Sequence, residues 1–155
     1  APVELPLIVQ GALVNTLISS RTAKEYHKVA NGAVESESLR SPEIKPGTLK
    51  ADEILAALGT GLYLSNLHYL NWSDRPTGRI TGMTRYACFW VEHGEIVAPI
   101  ENLRFDDSLY RFWGDRLMAL SNFQVFIPEV GTYGGREPGG MLVPGALVED
   151  FTYTL

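Results

Sequence analysis

Three side chains near the middle of the chain are of the types that bind metals or attack carbonyls: His68, Cys88 and His93. Imidazole nitrogens and a thiolate form a zinc donor set when short sequence spacings hold them together. Here the separations are twenty and five residues, which match no compact metal motif, and His93 falls in a turn. They read as a strand histidine, a turn histidine and a core thiol. Cys88 lies in the aromatic run Arg85-Tyr86-Ala87-Cys88-Phe89-Trp90, where burial suppresses the thiolate on which nucleophilic reactivity depends. His27 reads as solvated on a short helix. Asp106-Asp107 could be an acid pair but is explained by helix capping. Asp74 with Arg75 and Arg79 reads as turn chemistry. The stretch Gly131 to Gly140 lacks the Gly-Lys-Ser/Thr ending of a phosphate loop. It nonetheless has the best functional case. Tyr133, Gly134, Gly135, Arg136 and Glu137 put a ring and two opposite charges on a glycine-bounded loop that could touch a peptide or another chain, the alternative being a loop whose glycines only turn the chain.

The elements that must position these residues follow from periodicity and turn chemistry. Residues 5–18 predict strand, a turn at Gln10-Gly11, and strand. Thr22-Ala23-Lys24-Glu25 has the capping-box pattern and predicts a short helix ending before Asn31-Gly32. Residues 33–48, with Pro42, Pro46 and Gly47, predict a loop. A second helix is expected from Ala51 to Leu58, with Asp52 and Glu53 at its positive end and Gly59 after it. Residues 61–69 predict a strand and Ser73 to Gly78 a turn. Residues 79–91 predict a long strand, apolar on both faces and hence buried on both sides. His93-Gly94 turns it into a hairpin with Glu95–Ile100. Leu109, Phe112, Trp113, Leu117 and Leu120 form one helical stripe, predicting a helix over 108–120 capped by Asp106, Asp107 and Ser108. Strands at Gln124–Ile127 and Met141–Tyr153 complete the order. The expected class is α+β, a mainly antiparallel sheet with hairpins and about three short helices.

Composition narrows the function classes. A chain of 155 residues with 45% apolar content makes one globular domain over 1–155. A net charge of −5, with the arginines spread among acids, argues against nucleic acid as partner. No apolar run approaches a membrane span, so no membrane partner is expected. Cys88 is the only cysteine, which excludes an internal disulfide and suits a reducing, cytoplasmic setting. Asn71-Trp72-Ser73 matches a glycosylation acceptor with no secretory feature to support it. The chain lacks an initiator Met and enters a dense apolar run at once, so it reads as a fragment from the C-terminal part of a longer polypeptide.

The order of motifs resembles the C-terminal domain of the TldD/PmbA family, metallopeptidase-related proteins also described as modulators of DNA gyrase. The resemblance is carried by Gly61-Leu62-Tyr63-Leu64 with Leu67-His68-Tyr69, and by the hairpin Phe89-Trp90-Val91-Glu92-His93-Gly94-Glu95-Ile96-Val97-Ala98-Pro99-Ile100. Gly11-Ala12-Leu13, Ser20-Arg21-Thr22-Ala23 and the later glycine loop fit as well.

The resemblance implies a longer parent chain that assembles as a dimer. In the catalytic branch of the family an upstream helix carries His-Glu-X-X-X-His, whose imidazoles bind the metal and whose Glu acts as base. A cysteine from the C-terminal glycine loop completes that site. This chain has no His-Glu pair, and its loop reads Val130-Gly131-Thr132-Tyr133-Gly134-Gly135, so Thr132 or Tyr133 stands where the cysteine would be. Neither readily replaces a thiolate ligand. The resemblance is therefore to the non-metal PmbA (TldE) branch. It implies the non-catalytic subunit of a heterodimeric cytoplasmic metallopeptidase acting on unfolded peptides, peptide-antibiotic precursors among them. No cofactor is expected in this chain, and zinc is expected in the catalytic partner. The implied partners are a metal-bearing TldD-like subunit or a second copy, and a peptide substrate. Two alternatives stand beside this reading. One is the C-terminal half of a catalytic metallopeptidase whose metal helix lies upstream. The other is a stand-alone peptide- or carbohydrate-binding module using Trp72, Trp90 and Trp113.

Overall fold

The computed structural model describes residues 2–131, 135 and 139–154. The chain forms two compact units: Ala1–Pro42 with Gly131–Gly140, and Glu43–Val130 with Met141–Leu155. The class is α+β with a mainly antiparallel sheet, as expected from the sequence.

In the first unit, β1 (Ile8–Val9) and β2 (Ala12–Leu13) pair antiparallel around the Gln10-Gly11 turn. Both turn residues have positive φ, 51° and 79°, as a two-residue turn matched to strand twist requires. Helix α1 (Ser20–Glu25) follows, shorter than expected and capped elsewhere. Ser19, not Thr22, is the N-cap, its hydroxyl accepting the Thr22 N–H at 3.2 Å. The reciprocal partner is Glu37, whose Oε1 accepts the Ser19 N–H at 2.8 Å. A distant carboxylate thus does what the sequence assigned to Glu25. Those hydrogen bonds, from the Ser19 backbone first and the Thr22 and Ser19 side chains next, hold the Glu37 carboxyl below the usual glutamate value.

The second unit is built on one long hairpin. A 3₁₀ turn (Ala51–Glu53) runs into α2 (Ile54–Leu58), which ends at Gly59 with φ 65°. Strands β3 (Gly61–Asp74) and β4 (Arg79–Glu92) then pair antiparallel from Gly61 opposite Val91 to Asp74 opposite Arg79. The far side of β4 is shared: β5 (Glu95–Pro99) takes its end and β6 (Arg104–Ser108) its beginning, and β9 (Tyr153–Thr154) adds to β6. The His93-Gly94 turn, φ 52° and 80°, rests on α2, where the Gly94 N–H reaches the Gly59 carbonyl at 2.7 Å. Strands β7 (Leu117–Pro128) and β8 (Gly140–Val148) form a second, two-stranded sheet.

The core sits under β4 and β6. Phe105, Val91, Cys88 and Phe112 are buried there. Phe151 brings its ring to 5.1 Å from Phe105, 5.4 Å from Phe112 and 5.3 Å from Tyr153. Such aromatic pairs add about 0.5–1.5 kcal/mol each beyond their buried area. The buried carboxylate of Asp107 accepts the Ser108 and Thr152 N–H groups at 2.7 and 2.9 Å, tying β6 to the chain that leads into β9.

Three further sequence expectations are corrected. Residues 108–120 are not a helix: 104–108 is strand, Arg111–Asp115 is one π turn, and strand begins again at Leu117. Gly114 adopts φ −111° and ψ −115°, which no helix continues through. Asp106, Asp107 and Ser108 belong to β6, and the apolar stripe is divided between turn and strand. Strand β4 is buried at Gly82, Thr84, Cys88 and Val91 but exposed at Tyr86 and Ala87, so it is not covered on both faces. The final strand is broken, with β8 ending at Val148 and β9 starting at Tyr153.

Candidate functional site

Of the loop residues singled out above, Tyr133, Gly134, Arg136 and Glu137 lie outside the described residues, as does Thr132. Gly135 is described. It is exposed with φ 146°, a conformation that side chains rarely adopt. At the loop's end a side chain at Gly139 would come within 3.3 Å of the Arg40 carbonyl, so backbone packs closely there.

His68, Cys88 and His93 are not brought together. His68 is exposed opposite Met83, Cys88 is buried opposite Leu64, and His93 occupies an exposed turn. Among the described residues no group of three or more His, Cys, Asp or Glu side chains could hold a metal ion. The Cys88 thiol lies 3.8 Å from Asn102 Oδ1. Beside it Tyr153 has its phenol pushed up to about 12, by burial first and by the neighbouring Cys88 second. Asp106 is engaged as an ion-pair partner, its Oδ1 2.6 Å from Arg79 Nη2. Trp72 and Trp113 are exposed, on the end of β3 and in the π turn, while the Trp90 indole donates to Glu92 at 2.8 Å.

The feature with most chemical content lies on the β3–β4 hairpin, and the sequence reading missed it. The register slips between Leu64/Cys88 and Asn66/Arg85, so that Tyr86 and Ala87 together face Ser65. This is a bulge. Tyr86 stands in the left-handed region, φ 66°, a conformation that costs a bulky residue about 1–3 kcal/mol. The Ser65 hydroxyl fills the gap, donating to the Arg85 carbonyl at 3.2 Å and accepting the Ala87 N–H at 3.1 Å. A second bulge on β3 puts Tyr69 at φ 58° and makes Tyr69 and Leu70 share Gly82. Gly82 is required there, because a Cβ would lie 2.7 Å from Phe105 and 2.9 Å from Leu70.

The Tyr86 bulge re-aims its own ring and arranges Arg85. The Arg85 guanidinium carbon sits 4.2 Å from the centre of the Tyr86 ring, a cation–π distance, and its Nη2 meets the Tyr86 hydroxyl. Its Nη1 is 3.0 Å from His68 Nδ1 and 3.1 Å from Nε2. The two ring nitrogens point in diverging directions, so Nη1 can donate in line to at most one of them. None of the ion pairs among the described residues includes Arg85. No sequence pattern announces this cluster, because it depends on a register slip closed by a serine on the neighbouring strand.

This hairpin-based α+β architecture is shared with solved proteins. TldE from Thermococcus kodakarensis superposes with a TM-score of 0.75 at 18% identity, over 96% of this chain and 33% of that one. A protein described as a modulator of a DNA gyrase from Thermotoga maritima gives 0.74 at 16% identity, over 96% and 32%. The chain therefore spans about a third of the length of each. At these identities the likeness establishes the fold. No curated protein matches the chain. The profile described as the PmbA/TldA metallopeptidase C-terminal domain matches residues 2–155, and the chain belongs to that family.

Proposed function

We propose that this chain is a single C-terminal domain of a longer TldD/PmbA-like protein of the non-metal branch. In this reading the parent is the non-catalytic subunit of a cytoplasmic metallopeptidase that acts on unfolded peptides. It pairs with a metal-bearing TldD-like subunit, and its sheet supplies part of the groove wall. The observation that carries the reading is the position of the only thiol. Cys88 is 2% exposed within β4, beside Asn102 and Tyr153, and so cannot serve as a loop thiolate ligand. Among the described residues the donor set does not fit a zinc ion, and no catalytic step is assigned to them. The loop positions Tyr133, Gly134, Gly135, Arg136 and Glu137 are proposed to touch peptide or partner.

The test is the zinc content of the full-length parent chain purified without chelator, alone and together with a metal-bearing subunit. The expected result is no zinc and no peptidase activity for the parent alone, and both for the pair. Stoichiometric zinc in the parent alone would make it a peptidase in its own right, with its metal helix upstream.

A further inference from the structure

We propose that Arg85, in contact with the rings of Tyr86 and His68, is an anchor for a carboxylate presented by an extended peptide. Three observations converge on it. The guanidinium carbon lies 4.2 Å from the Tyr86 ring centre, Nη1 contacts His68 and Nη2 meets the Tyr86 hydroxyl, which engages two of its five N–H donors and leaves three for a ligand. A planar, pre-oriented guanidinium takes a carboxylate through two parallel hydrogen bonds. Arg85 has no acidic partner among the described residues, so its charge is not already spent on a carboxylate of the hairpin. Along the hairpin the acids lie at its ends: Asp74 accepts from Thr77, and Glu92 from Trp90.

The backbone under the cluster is organised for presentation. Left-handed Tyr86 is maintained by the Ser65 hydroxyl, which satisfies both backbone groups of the bulge. A flat ladder would leave that ring in strand alternation instead. Strand β3, one position away, is an outer strand of its sheet with Tyr69 and Leu70 exposed. Apolar side chains flanking an anchored carboxylate would find contact there.

The source of the carboxylate rests on the peptide reading above; the site itself does not. Two probes separate them. The first is N-acetylphenylalanine against its uncharged amide, followed by ligand-observed saturation-transfer NMR on the full-length chain. The acid should bind at least about tenfold more tightly than the amide, the worth of one charge-assisted contact. Arg85→Gln should abolish that preference and Arg85→Lys keep part of it, with unchanged melting temperatures. Equal binding of acid and amide, no binding of either, or a preference that survives Arg85→Gln would overturn the proposal. The second probe is a short unstructured peptide with one Glu, compared with its Gln variant and its C-terminally amidated form. Whichever change removes the Arg85-dependent affinity identifies the source as side chain or terminus. Binding of the small acid without binding of any peptide would uphold the anchor and sink the peptide reading.

Discussion

The hydroxyl of Ser65 donates to the carbonyl of Arg85 across the β3–β4 ladder at 3.2 Å, and the same oxygen accepts the Ala87 N–H at 3.1 Å. One atom thus closes both ends of a bulge that would otherwise interrupt the longest strand pair in the protein. The orientation of the Arg85–Tyr86 pair depends on it.

Ser65→Ala should therefore act locally and modestly. The bulge is exposed, so water replaces part of what is lost, and a cost of about 1 kcal/mol is expected. Urea denaturation would measure it. The more specific readout is hydrogen exchange, where the Ala87 amide should lose protection while Val91, in the core, keeps it. Equal loss at both positions would mean that the serine supports the whole sheet rather than the bulge.

Gly82→Ala should be more damaging than Gly11→Ala, for different reasons. At Gly82 the new methyl meets the fully buried Phe105 at 2.7 Å and Leu70 at 2.9 Å, so overpacking of about 1–3 kcal/mol is expected. At Gly11 nothing lies within 4 Å, and only the strain of φ 79° remains, about 1–2 kcal/mol. Thermal denaturation of both variants checks the order. A Gly82→Ala protein as stable as the parent would show that Phe105 has room to move.

Glu37 gives the acid limb a specific contributor. Its folded-state pKa is depressed, chiefly by the Ser19 N–H, so the stability it adds is present above the unfolded glutamate value and is lost as pH falls through the folded value. Glu37→Gln should remove that part of the acid dependence and shift the Ser19 amide resonance. An acid profile identical to the parent's would sever Glu37 from the cap.

Tyr153 works at the opposite end of the scale. Its pKa is raised from the ordinary value of 10.0 to about 12, so its contribution is complete below the unfolded value and is lost as pH rises through about 12. Ultraviolet titration should show a tyrosine step at about 12, and Tyr153→Phe should erase it. Cys88, beside it, should resist thiol reagents until the domain unfolds, because it is buried.

Local chemistry was legible in the sequence and long-range chemistry was not. The turns at Gln10-Gly11 and His93-Gly94 and the end of α2 at Gly59 were readable, because each is decided by residues that adopt positive φ. The helix expected over 108–120 failed because its apolar spacing also suits a turn followed by a strand, and pairing with β8 settles the matter for Leu117–Pro128. The cap of α1 was misplaced by three residues, since its second partner, Glu37, lies far along the chain. The Arg85 cluster was invisible for the same reason: Ser65, His68 and Tyr86 carry no pattern until the strands are in register. Gly135 of the glycine loop is described, but its neighbours Tyr133, Gly134, Arg136 and Glu137 are not, and their role rests on sequence alone.

The long hairpin also bears on the order in which the second unit assembles. Strands β3 and β4 are contiguous in sequence and meet through the short turn that ends at Gly78. By contrast, the Leu49–Ser121 bridge and the seat of Gly47 against Leu120 must bring together distant parts of the chain. Closing a long loop costs entropy before any contact repays it, so distant pairings form late. Pulse-labelled exchange during refolding should find the β3–β4 amides protected before those of Gly47 and Leu49. The frame that carries Arg85 would then be standing before the rest of the domain has closed around it.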